Sequence, residues 1–242
     1  MIMKRLTTTA FAVLLLTASF AQKPDAGAFT IETQINFQTG TAPINIFTPN
    51  IRVRYFMSQD LALRLQFAYL SDKNTTTVTE NFDGTGAEGS ATMSSSLFTF
   101  RPGIEKHFAG TNRLAPYIGA ELNIQMGSAK ETWDQANFDG FNYYYEEGTT
   151  AEITGDWASS FPNWSAGSTI GLNLLAGLDF YVMENLYIGG ELGWGFNSFS
   201  GKDVEGTQTI DGDTFTFTSP GAKSSGFAMV PSGFIRVGWL IQ

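Results

Sequence analysis

The chain contains no cysteine. That removes disulfides, thiolate nucleophiles and cysteine-bound zinc. It also removes a lipid-anchored N-terminus, which needs a cysteine at the cleavage site. Histidine occurs once, at His107. A Ser–His pair would need a histidine in the long connections described below, and none is there, so the chain reads as non-enzymatic with no cofactor or metal site. After the first 21 residues, no apolar run approaches the roughly 20 residues of a spanning helix. If the mature chain enters a bilayer it must do so as a closed barrel, because open strands leave backbone groups unpaired in lipid. Cations are scarce too: 14 Lys and Arg stand against 23 Asp and Glu. Binding nucleic acid needs the opposite balance.

The N-terminus reads as a secretory signal over residues 1–21. Lys4 and Arg5 are basic, residues 10–16 are apolar, and Ser19-Phe20-Ala21 is a small-x-small cleavage site. The mature domain is then 22–242, with 12 cations against 23 anions, a net charge of −11.

Residues 50–70 carry the clearest pattern. Ile51, Val53 and Tyr55, then Leu61, Leu63, Leu65, Phe67 and Tyr69, share one face across a four-residue turn. Arg52, Arg54, Arg64 and Gln66 share the other. A strict period of two on both sides of a turn marks a β-hairpin. If the apolar face meets lipid, a slip of one residue moves three arginines into the bilayer. At about 2–4 kcal/mol each near the midplane, that is roughly 6–12 kcal/mol, and register is firmly set.

The same alternation predicts eight strands, at 29–37, 45–55, 61–70, 97–106, 114–126, 169–180, 186–196 and 227–241. Short turns follow the second, fourth and sixth. Longer connections follow the first, third, fifth and seventh, the last three being 71–95, 127–166 and 197–224. This layout resembles the small eight-stranded outer-membrane barrels of the OmpA transmembrane-domain, OmpX and OmpW type. The resemblance implies an all-β, antiparallel, up-and-down transmembrane β-barrel, with short periplasmic turns and long extracellular loops, in a Gram-negative outer membrane. Members usually end in an aromatic residue, whereas this chain ends Trp239-Leu240-Ile241-Gln242.

The polar strand faces hold Arg52, Arg54, Arg64, Arg101 and Arg236 against Glu32, Glu105, Glu121, Asp179 and Glu191. Five cations meet five anions, so an ion-paired network filling the barrel interior is expected. The alternative is a narrow pore or a conduit for ions or small hydrophobic molecules. Glycines on the inward faces, including Gly119, Gly171, Gly177, Gly189, Gly193 and Gly195, either make room for the arginines, Tyr117 and Tyr187 or line a cavity. A soluble lipocalin-like barrel with the apolar face inside stays open on alternation alone. His107, at the short-turn end, reads as a membrane-interface residue.

The excess negative charge lies in the three long connections, at −3, −6 and −2. The connection 127–166 also carries Trp133, Tyr143, Tyr144, Tyr145, Trp157 and Trp164. Aromatics beside carboxylates suit a sugar or protein partner, so 127–166 and 197–224 are candidate surfaces for another envelope protein or an extracellular ligand. Packing of these rings onto the barrel rim is the competing reading. Asp211-Gly212 sits between alternating flanks and predicts a hairpin beyond the membrane rather than a calcium loop.

Overall fold

The computed structural model describes residues 24–36, 51–81, 83–156 and 166–241. The predicted signal peptide, the first long connection, Trp157 and Trp164 lie outside the described residues.

Among the described residues the chain forms eleven antiparallel strands: β1 (Phe29–Asn36), β2 (Ile51–Ser58), β3 (Leu61–Thr79), β4 (Glu88–His107), β5 (Leu114–Phe138), β6 (Tyr143–Thr154), β7 (Gly167–Tyr181), β8 (Leu186–Gly201), β9 (Val204–Ile210), β10 (Asp213–Ser219) and β11 (Lys223–Ile241). Eight of them close a ring in the order β1–β2–β3–β4–β5–β7–β8–β11, with β11 returning to β1 in the register Phe29↔Ile241 to Asn36↔Phe234. No edge remains in that ring, as lipid requires.

The two faces of each strand are sorted by solvent. Leu63, Leu65, Phe67, Leu172, Leu174 and Ile188 point outward, Leu174 with 58% of its surface exposed. Arg52, Arg54, Arg64, Glu105, Asp179 and Arg236 point inward and are buried. This is the polarity of a membrane barrel and overturns the soluble alternative, in which the apolar face would be the inner one.

The long connections are corrected by the structure. They are mostly strand. β3 has 19 residues and β5 has 25, whereas about 9–11 tilted residues cross a bilayer. Roughly half of each strand therefore stands clear of the membrane. β5 changes partner on the way: residues Leu114 to Gly127 pair with β7, and residues from Lys130 onward pair with β6. Outside the ring, β6 pairs with β9 and β9 with β10, so an extramembrane sheet grows out of the barrel wall. The outer part of β3 escapes a period-two reading because both of its faces meet water. Thr75 and Thr92, for example, hydrogen-bond across β3 and β4 at 3.0 Å on an exposed face.

The turn at Asp211-Gly212 joins β9 to β10. Both residues have positive φ, 51° and 87°, which is the backbone of a type I′ hairpin. Gly212→Val places a branched side chain in that conformation, at about 1–2 kcal/mol. The expected result is faster amide exchange across β9 and β10, with exchange in β7 and β8 unchanged. A second constrained point is Gln135, at φ 47° in a bulge between Asp134 and Ala136. Its carbonyl oxygen lies 2.0 Å from where a Cβ on Gly89 would sit, so only glycine fits there.

Candidate functional site

The lumen is built around four arginines. Arg54 and Arg64 face each other directly across β2 and β3, a like-charge pairing that needs a shared counter-ion. Glu105 on β4 supplies it, with one carboxylate oxygen 3.0 Å from Arg54 and the other 2.9 Å from Arg64. Arg54 also meets Glu32 at 2.5 Å and Asp179 at 2.7 Å. Arg236 bridges the same two acids, at 2.8 Å each. Farther up, Arg52 and Arg64 both reach Glu191, at 3.1 and 2.9 Å, and Arg64 reaches Glu121 at 3.0 Å. The Tyr117 hydroxyl donates to Glu191 at 2.5 Å. Nine of the ten residues singled out for the interior thus form one connected cluster that crosses the lumen from wall to wall.

Arg101 is the tenth and stands apart. It sits on the inward face of β4, half-buried, and its Nε donates to Asn123 Oδ1 at 2.8 Å. It forms no ion pair within 4 Å among the described residues. Asn123 in turn donates to Asn197 at 2.7 Å. Asn197 borders an open vestibule of about 580 Å³, lined also by Leu97, Gln125, Thr169 and Phe199.

Small residues make the network possible. A Cβ on Gly177 would lie 2.4 Å from the Tyr117 ring, one on Gly189 would lie 2.6 Å from Arg236 Nη2, and one on Gly238 would lie 2.1 Å from the Tyr187 ring. The space above these glycines is therefore occupied by arginine and tyrosine. The opposite, short-turn end is closed by an apolar floor of Ala28, Phe56, Ala62, Ala115, Tyr181, Tyr187 and Leu240.

His107 corrects its expected position. It is buried inside the barrel, not set at the lipid interface: its Nε2 lies 3.1 Å from Glu105 Oε2, and its ring stands between Phe56 and Tyr117, 5.2 Å from each. The signal was present in the sequence. His107 follows Glu105 by two residues and shares its face. Asn123, Asn173 and Gln66 were missed as network neighbours because neutral amides do not stand out in a charge count.

The aromatic surface also differs from expectation. Tyr143, Tyr144 and Tyr145 are consecutive strand residues and split between the two faces of β6. Tyr143 and Trp133 turn toward Glu131, a buried carboxylate that accepts the Trp133 indole N–H at 2.5 Å and the Tyr143 hydroxyl at 2.6 Å. Burial first, and then that carboxylate, push the Tyr143 hydroxyl above its usual pKa. Tyr145 donates to Gln135 at 3.1 Å. Tyr144 and Phe141 remain exposed. At the tip, the N–H groups of Asn142 and Phe141 hold the Asp139 carboxyl below the ordinary range.

No curated protein matches this chain. Among solved structures, the crystal structure of the N-terminal β-barrel domain of Pseudomonas aeruginosa OprF is similar at 15% identity and a TM-score of 0.33, over 90% of this chain and 100% of that one. The family model described as "Putative OmpA-OmpF-like porin family" matches residues 45–218, most of the chain. The chain belongs to that family and is an outer-membrane β-barrel protein that associates with membrane lipid.

Proposed function

We propose that this protein is a structural and interaction component of the bacterial outer membrane: a barrel closed to ions by its lumen network, carrying an acidic extramembrane sheet as a contact surface for another envelope protein or an extracellular ligand. One observation carries the reading. Ion pairs join β2 to β7, β2 and β3 to β8, and β1 to β11, so charge is paired across the whole section of the lumen. A conducting wall would instead carry a surplus of one sign, and eight strands enclose little more than the volume of their own side chains. Residues 1–21 belong to the reading as a cleaved signal, and the mature protein is expected to begin at Gln22 on mass analysis.

Single-channel recording in a planar bilayer tests the closed barrel. The unmodified protein is expected to be silent, while the Arg52→Ala/Arg54→Ala variant opens reproducibly. Regular openings of the unmodified protein would sink the proposal. They would favour a narrow conduit, a reading that draws its support from the vestibule and from Arg101, which makes no ion pair among the described residues.

A further inference from the structure

The outward face of β3, β4 and β5 changes character abruptly at one register row. Tyr69, Phe98 and Met126 lie side by side and are exposed, forming the upper edge of the apolar belt. The next outward row is Ser71, Ser96 and Ser128. The row after that is Lys73, Ser94, Lys130, Thr154 and Glu205. From Leu61 to Tyr69 the apolar stretch of β3 covers about 8 steps, roughly 20 Å along the membrane normal at ordinary rise and tilt, which approaches the band of about 25 Å that a barrel presents to lipid. The serine and lysine rows therefore stand at headgroup height.

Lysine placement agrees. The outer half of the chain has four lysines, Lys73, Lys130, Lys202 and Lys223. Lys223 follows the same row as the edge of the belt, through Ser200, Ser168 and Met126. Lys202 is hydrogen-bonded through its backbone to Ala166 and Asp156, where β5 exchanges β7 for β6. Farther out, residues 74–96, 131–153 and 204–222 contain no Lys, Arg or His. The lysines of this half are thus confined to the rows near the upper edge of the belt, and the charged residues beyond them in these segments are all acidic.

A groove of about 670 Å³ opens at this height, bordered by Tyr69, the serines, Lys130 and Lys202, with Asp203 and Glu205 on its far side. Its groups are disposed to receive an anion. Ser96 and Ser128 hydroxyls are 2.8 Å apart, so one donates to the other and the second keeps a free proton. Lys202 makes no ion pair among the described residues. Lys130 is held only by Glu152, at 2.9 Å and with both side chains about half exposed, a pairing that a second anion displaces at little cost. Asp203 is turned to the Gly221 N–H at 3.0 Å.

We propose that this groove binds the phosphate of an anionic lipid in the outer leaflet, whose chains run down over Tyr69 and the belt below. Lys130 and Lys202 meet the charge and the Ser96–Ser128 pair donates to a phosphate oxygen. The site is separate from the lumen and stands whether or not the barrel conducts.

Native mass spectrometry of the full mature protein, taken from bilayers of equimolar phosphatidylcholine and phosphatidylglycerol, tests this. The protein is expected to retain phosphatidylglycerol preferentially. Near an anionic surface each lysine is worth about fivefold, so Lys130→Gln/Lys202→Gln is expected to lower that preference about 25-fold. Ser96→Ala/Ser128→Ala, which leaves the charge unchanged, should lower it several-fold. Lys106→Gln/Arg113→Gln, at the short-turn end, should leave it intact. Each variant must keep the heat-modifiable gel mobility of the folded barrel. Equal loss in the Lys106/Arg113 variant would make the effect one of bulk charge and overturn the proposal, as would unchanged retention in the other two. Inorganic phosphate forms a separate arm: if it binds the lipid-free protein through the same lysines and displaces the lipid, the ligand is free phosphate and the lipid assignment falls.

Discussion

Arg54→Ala is expected to lower the stability of the barrel by about 3–5 kcal/mol, the cost of removing one partner from a buried ionic cluster. Arg54 is completely buried and contacts three carboxylates, on Glu32, Glu105 and Asp179. Its guanidinium also lies over the rings of Tyr187 and Phe56, at 5.1 and 5.5 Å from their centroids. Truncation leaves Asp179 with Arg236 alone, and Glu32 with Arg236 and, at 3.6 Å, Arg52. Glu105 keeps Arg64. Three buried acids lose their shared cation in a space with little water, and the Ala side chain leaves a cavity where the fork stood. Arg54→Lys keeps the charge but cannot span three acceptors, so it should recover only part of the loss. Arg101→Ala is the internal control. Its hydrogen bond goes to Asn123, and about 0.5–1.5 kcal/mol is the ordinary worth of such a bond. Equilibrium urea unfolding in lipid vesicles, followed by tryptophan fluorescence, gives all three values. An Arg54→Ala protein within about 1 kcal/mol of the unmodified one would refute the idea that the cluster holds the barrel together.

Leu65→Arg should cost about 2–4 kcal/mol, for the opposite reason. Leu65 lies midway along the apolar part of β3, paired with Val53 and Pro102 on an outward face. An arginine there has no carboxylate within reach and must snorkel across several ångströms of hydrocarbon. The same substitution at Tyr69, on the upper edge of the belt, is expected to cost no more than about 1 kcal/mol. The difference between the two sites is the quantity to measure, because it reports depth and not merely polarity. Equal costs in vesicles would mean that this face does not lie in a bilayer with the vertical position given above.

The eight ring strands were legible because their two faces meet different media. Leu63, Leu65 and Phe67 alternate with Arg64 and Gln66, and no other geometry serves both sets. The same reasoning failed beyond Leu70. Lys73, Thr75 and Thr77 meet water on one side of β3, and Asp72, Asn74 and Thr76 are exposed on the other, so the strand carries no hydrophobic period and reads as loop. β9 and β10 were recovered only because Asp-Gly turn chemistry sits between them. For the lumen, charge counting found the acids and arginines but not how they connect. Which carboxylate serves two arginines depends on register and on the curvature of the wall, and neither is written in composition. His107 was misplaced through its position at the end of a strand, although its spacing from Glu105 put it on the inner face. Glu131 falls within a connection read as loop, and its burial follows from a partner strand, β6, that the pattern does not reveal.

The change of partner along β5 has a consequence for how the chain is assembled. Thr150 of β6 pairs with Thr209 of β9, and between them in sequence lie β7 and β8, which belong to the ring. In the folded barrel β9 reaches its place beside β6 through β7 docked on the lower half of β5 and β8 docked on β7. The β6–β9 seam is thus expected to form late, after that hairpin has entered the bilayer. A chain that stalled before this step would display β6 without its partner, as a protease-sensitive flap. The extramembrane sheet is, in this sense, a checkpoint visible from outside the membrane: its completion records that this part of the wall beneath it has closed.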